Sequence, residues 1–316
     1  MKKFPKPVIV TSKCFEFDAC RYNGQMIPNN FVQTLEPFVK FLPVCPEVEI
    51  GLGVPRDPVR VVSKKGVKKL VQPTTKRDLT RLMQNFADRF LGSIKEVDGF
   101  ILKNRSPTCG IKDAKFYPDG ENNIPTGKGP GLFAEKVLEK FPGAAVEDEG
   151  RLRNPGIREH YLTRIYTLAR WRDAKKKNSM KALVDFQSDN KFILMSYNQR
   201  EMKELGRIVA NKDGRTLGET IPLYEAHLQK ALAKTPRRTS NINVLMHGLG
   251  YFSDELTRKE KNHFLDLLER YRNMKAPLSA LQSVMESWII KYEESYLSRQ
   301  TYFHPYPVEL VELKHL

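Results

Sequence analysis

Three short apolar runs in the first third of the chain each stop at a break that carries a cysteine. Val8-Ile9-Val10-Thr11-Ser12 leads to Cys14, and Phe41-Leu42-Pro43-Val44 leads to Cys45. Gly99-Phe100-Ile101-Leu102 leads into Asn104-Arg105-Ser106-Pro107-Thr108-Cys109-Gly110. Apolar runs this short, closed by Pro, Gly and polar residues, read as buried strands. In an open α/β sheet, ligands bind outside the carboxyl ends of the strands. Three strand-end thiols are therefore predicted to converge on one point.

The stretches between these runs have helical patterns. Thr75 to Leu91 carries Leu79, Leu82, Met83, Phe86 and Phe90 at helical spacing, and Leu132 to Phe141 reads as a further helix. Asn30 to Val39 reads as a short helix and Ala144-Ala145-Val146 as a strand. Pro46 to Arg56, rich in Gly and Pro, reads as a shaped loop, and Gly127 to Gly131 as a tight turn. Strand–helix alternation predicts an α/β N-terminal domain with a Rossmann-like parallel sheet. From Arg158 onward only helical patterns remain. Thr257-Arg258-Lys259-Glu260 fits a capping box, and Pro277 opens a helix with Leu278, Leu281, Met285, Trp288 and Tyr292 on one stripe. An all-α C-terminal domain is predicted. The expected boundaries are 1–160 for the first domain, 161–182 for a basic helical connector and 183–316 for the second.

No run reaches the roughly 18 apolar residues of a membrane helix. The Met-Lys-Lys start, with Pro5 and Pro7, does not resemble a signal peptide, so a cytoplasmic protein is expected. The formal charge of +16 is uneven: residues 1–180 hold 33 Lys and Arg against 20 Asp and Glu. A basic excess placed in this way points to a polyanion, with nucleic acid foremost. Lys175, Lys176, Lys177, Arg237 and Arg238 are the candidate RNA contacts, with a solvated hinge and a solvated loop as the alternative reading.

All four cysteines, Cys14, Cys20, Cys45 and Cys109, fall in the first domain. A reducing cytosol disfavours structural disulfides. The paired C-x-x-C spacing of zinc ribbons is absent. Zinc from four separate loops, an iron–sulfur cluster, and buried inert thiols all stay open on spacing alone.

The motifs themselves resemble a family. Ser12-Lys13-Cys14, Arg21-Tyr22-Asn23-Gly24, Cys45-Pro46-Glu47, Gly51-Leu52-Gly53-Val54-Pro55-Arg56 and Ser106-Pro107-Thr108-Cys109-Gly110, in this order, resemble the thiouracil desulfidase (TudS) family. The remainder, through Tyr197-Asn198-Gln199, Glu204-Leu205-Gly206-Arg207, Glu260 to Leu265 and Pro305-Tyr306-Pro307, is similar to the YbgA-like helical domain. This fusion resembles the tRNA thiouridine desulfidase (RudS) group. The resemblance implies a [4Fe-4S] cluster held by Cys14, Cys45 and Cys109, with one iron open to the substrate sulfur. It implies non-redox conversion of thiouridine in tRNA, 4-thiouridine first, to uridine and sulfide. Glu47 is the expected proton carrier for the attacking water, and Ser106 a hydrogen-bond donor or relay. Cys20 is expected near the site without ligating. Two other readings stand beside this one: desulfuration of free thiouracil, and a non-catalytic RNA-binding protein with structural zinc.

Overall fold

The computed structural model describes residues 3–119 and 124–311. It divides into two compact units, Met1–Ala169 with Glu309–Leu316, and Arg170–Val308.

In the first unit the cysteine-bearing runs are parallel neighbours. Strands β1 (Val8–Ser12), β2 (Lys40–Val44), β6 (Gly99–Leu102) and β9 (Ala145–Asp148) form a sheet in the order β2-β1-β6-β9. Its register pairs Ser12 with Val44, Thr11 with Ile101, and Leu102 with Asp148, and all three pairings are parallel. All four strands therefore end on the same edge. Helices α1 (Asn30–Leu35), α2 (Pro46–Glu49), α3 (Thr80–Ser93), α4 (Leu132–Lys140) and α5 (Pro155–Lys176) accompany it. Asn29 caps α1 through its side chain, which accepts from the Val32 N–H.

A second sheet departs from the sequence expectation. Strands β3 (Arg60–Lys64), β4 (Val67–Gln72), β5 (Arg77–Asp78), β7 (Ala114–Tyr117) and β8 (Gly127–Gly129) are ordered β5-β4-β3-β7-β8. The expected helix thus starts at Thr80 rather than Thr75, and the expected turn at 127–131 begins as a strand. The core joins both sheets through α3 and α4. Val10 and Phe100 share one cluster with Val61, Leu70, Phe86 and Phe133. Phe86 stacks on Phe90 at 5.6 Å and on Phe133 at 6.2 Å.

The second unit is helical: α6 (Met180–Asp189), α7 (Lys191–Tyr197), α8 (Gln199–Ala210), α9 (Leu217–Ala231), α10 (Arg238–Gly250), α11 (Arg258–Arg272), α12 (Leu278–Lys291) and α13 (Ser295–Arg299). Capping boxes open α9 at Thr216 and Glu219 and α11 at Thr257 and Glu260. Trp171 stacks on Tyr224 at 4.5 Å, and the buried Tyr224 hydroxyl donates to Gln187 Oε1 at 2.6 Å. The fold is thus a mixed α/β N-terminal domain followed by a largely α-helical one. No described helix is long and apolar enough to cross a membrane.

Candidate functional site

The shared carboxyl edge of β1, β2 and β6 opens into a cavity of 390 Å³. Cys14, Cys20, Cys45 and Cys109 all line it, together with Glu47, Arg56, Ser106 and Thr108. The convergence expected from the strand ends is therefore present.

Each thiol is fixed differently. Cys14 follows β1, and its carbonyl accepts the Ile27 N–H at 2.8 Å, which ties the loop down. Cys45 precedes α2 directly, and its carbonyl accepts the Glu49 N–H at 3.0 Å. Cys109 is held from two sides. The Ser106 hydroxyl oxygen accepts the N–H of Cys109 at 3.0 Å and that of Thr108 at 3.2 Å. The free N–H groups at the start of α4 then grip the same loop: Leu132 donates to the Pro107 carbonyl at 3.1 Å, while Phe133 and Ala134 donate to that of Thr108 at 3.1 and 2.9 Å. This approach requires Gly131, where a Cβ would lie 2.5 Å from the Pro107 oxygen. The helix N-terminus is thus occupied by chain carbonyls rather than left open for a phosphate.

Electrostatics set the thiols apart. The hydrogen bond from Cys20 pulls the Cys45 thiol down to about 7, helped by the Val48 N–H and the Arg56 guanidinium against the opposing effect of burial. The same bond holds Cys20 protonated, its thiol pushed well up. Burial pushes the Cys14 and Cys109 thiols up to about 12. Cys45 is therefore the thiol of the pocket whose surroundings most favour ionisation.

Arg56 organises the acid beside it. Its Nε and Nη2 meet Glu47 Oε2 at 2.9 and 2.6 Å, while Nη1 donates to the carbonyls of Cys20 and Gly53 at 3.0 Å each. Nη2 also lies 3.9 Å from Cys45 Sγ. The other Glu47 oxygen accepts from Thr108 Oγ1 at 3.0 Å, and Thr108 Oγ1 stands 3.0 Å from Ser106 Oγ. With one proton per hydroxyl, the chain runs Ser106 to Thr108 to Glu47. Thr108 is the member that sequence reasoning missed. Its place between Ser106 and Cys109 was the available signal.

One expectation needs correction. Among the described residues, no group of three or more His, Cys, Asp and Glu side chains is placed to hold a metal ion. The thiols share a cavity but are committed to different partners. Cys45 is engaged by Cys20 and Arg56, whereas Cys109 Sγ faces the Thr108 hydroxyl at 3.6 Å. The residues do not fit the [4Fe-4S] cluster expected on Cys14, Cys45 and Cys109. The expected iron–sulfur-dependent desulfidase acting on tRNA thiouridine, which rested on that ligand set, is corrected with it.

The acidic run after β9 is structural. Glu147 pairs with Arg151 at 2.6 Å, Asp148 accepts the Arg151 N–H at 2.8 Å, and Glu149 holds Lys103 and the Asn104 N–H. Beyond Lys103, Asn104 and Arg105 lies a larger cavity of 950 Å³, also lined by Arg21, Lys112, Arg153 and Arg158. The candidate RNA contacts belong to the other unit or to the end of α5. Lys175 pairs with Glu225 at 2.8 Å, and Lys176 ends α5, so the chain leaves the helix at 177–179, inside the stretch read as a solvated hinge. Lys177 donates its N–H to the Ala174 carbonyl, Arg237 precedes α10, and Arg238 lies over the Tyr271 ring at 5.4 Å.

Residues 9–149 match the family described as 2-thiouracil desulfurase, and residues 191–307 match DUF1722, described as a protein of unknown function. The chain is 28% identical over 156 residues to Uncharacterized protein YbgA of Escherichia coli (strain K12), spanning 49% of this chain and 92% of that protein. It is 30% identical over 154 residues to Uncharacterized protein YbbK of Bacillus subtilis (strain 168), spanning 46% of this chain and 99% of that one. A solved structure, a [4Fe-4S]-dependent thiouracil desulfidase TudS, aligns at 27% identity and a TM-score of 0.38 over 47% of this chain and 94% of that chain. Through its N-terminal domain the chain belongs to the 2-thiouracil desulfurase family, and that domain is fused to a YbgA-like one.

Proposed function

We propose that the cysteine pocket removes sulfur from a thiolated uracil as the free base, consuming water and releasing sulfide. The observation that carries this reading is Cys45, a thiolate-favouring cysteine in a cavity of suitable size, flanked by Arg56 and a hydroxyl chain ending on Glu47. Cys45 Sγ bonds to the ring carbon bearing the sulfur, and the C=S electron pair moves onto that sulfur. The sulfur leaves as hydrosulfide with the ring N–H proton, and the ring stays joined to Cys45 as a thioimidate. Water then adds to the same carbon, and the Ser106–Thr108–Glu47 chain moves its protons. The C–Sγ bond breaks, the ring nitrogen regains a proton, and the thiolate returns. The water oxygen becomes the uracil carbonyl, and no electrons are exchanged. Arg56 adds to the effects that favour the Cys45 thiolate, of which Cys20 is the largest, and holds Glu47 in place. The setting we assign is the cytoplasm, whose reducing conditions suit four free thiols.

The 950 Å³ cavity next door, where seven Lys and Arg side chains face Asp113, Asp148 and Glu149, favours a second substrate, a thiolated uracil nucleotide whose phosphate would lie among Arg21, Arg105 and Lys112. One experiment tests both readings. Purified protein is incubated with 2-thiouracil, 4-thiouracil and 4-thiouridine monophosphate, and sulfide is measured. Release from a free base that Cys45→Ser abolishes is the expected result. Release from the nucleotide alone supports the second reading, and undiminished release by Cys45→Ser rejects the mechanism.

A further inference from the structure

The second sheet has one covered face and one whose described residues are exposed or half-buried. Val61, Leu70 and Ala114 are fully buried on the first, where Lys68 also reaches Glu135. The strand register places Arg60, Val62 and Lys64 of β3, Lys69 and Val71 of β4, Lys115 and Tyr117 of β7, and Lys128 of β8 on the other. Contacts agree with that alternation. Arg60 lies over the Tyr117 ring at 5.3 Å, Lys69 pairs with Asp78 at 3.0 Å, and Lys64 pairs with Asp119 at 3.0 Å. Lys64, Lys69, Lys115 and Lys128 are exposed.

Two features on this face work against stability. Lys115 and Lys128 are directly opposite each other in the antiparallel β7–β8 pair. Like charges at directly opposed cross-strand positions repel. Val62, Val71 and Tyr117 are only half-buried between the cations, although they are β-formers that gain by burial. A ligand that offers both phosphates and flat rings offsets both costs at once. We propose that the second face of this sheet is a docking surface for a single-stranded nucleic acid segment. Lys115 and Lys128 hold its phosphates, and a base stacks on the Arg60–Tyr117 platform. Charge complementarity selects this occupant, since the face carries Arg60, Lys64, Lys69, Lys115 and Lys128 against Asp78 and Asp119.

The test uses the full chain and a labelled 12-nucleotide oligo(U), with affinity measured across a salt series. Lys115→Gln together with Lys128→Gln should weaken binding at least tenfold and reduce the salt slope by about 1.4, at about 0.7 per phosphate released. Tyr117→Ala should weaken it between about fivefold and a hundredfold. Lys128→Glu alone should raise the melting temperature, because it faces Lys115, and yet weaken binding. That opposition separates a binding role from a folding defect. The proposal is overturned if the double variant binds oligo(U) with the parent's affinity and slope. It is equally overturned if a duplex of the same length binds as tightly as the single strand, or if anionic vesicles bind and oligo(U) does not.

Discussion

Cys45 and Arg56 decide the chemistry at the residue scale. Below about pH 7 the Cys45 thiol is protonated, and above it the thiolate prevails, so the rate should rise with pH through about 7. Cys20→Ala removes the hydrogen bond that most favours the thiolate, so its rate profile should shift to higher pH while the plateau stays within reach. A profile that does not move would separate Cys20 from the ionisation of Cys45. Arg56→Met leaves Glu47, almost buried, without its cation, and should destabilise the first domain by about 3 kcal/mol in urea unfolding. The strand-end positions of Cys14, Cys45 and Cys109 were legible because apolar runs and breaks determine where a parallel strand stops. The contact of Cys45 Sγ with the Cys20 carbonyl oxygen at 3.7 Å was not, because it joins residues 25 positions apart through the folding of a loop.

At the scale of elements, α4 does what its sequence did not announce. Its first N–H groups clamp the Pro107–Thr108 carbonyls, so Gly131 belongs to the architecture of the pocket rather than to a turn. Gly131→Ala should lose desulfuration and several degrees of melting temperature together, because backbone must shift to admit the methyl group. The second sheet was the largest miss. Lys65 and Gly66, both at positive φ, make the two-residue turn of the β3–β4 hairpin. The signal was there in Lys65-Gly66 between two Val-rich runs, but the lysines gave the stretch the look of a solvated basic segment. The helical unit was more readable, since the Thr257 and Glu260 capping box formed as expected. Thr257→Ala should cost about 1 kcal/mol of stability.

For the whole molecule, the division of labour follows from where the chemistry-bearing residues fall. Every residue lining the cysteine cavity belongs to the first compact unit, and the match to the 2-thiouracil desulfurase family ends at residue 149. Charge is concentrated in the same part of the chain, which gives that unit both the pocket and the basic sheet face. The two surfaces are separable in principle: Lys115 and Lys128 variants should leave turnover of free thiouracil unchanged. The central proposal is hydrolytic sulfur removal through Cys45, and its most direct measurement is turnover of 2-thiouracil or 4-thiouracil in ¹⁸O-labelled water. Sulfide and ¹⁸O-uracil should form in equal amounts with the parent protein, and neither with Cys45→Ser. Sulfide without ¹⁸O in the ring, or equal yields from Cys45→Ser, would contradict it.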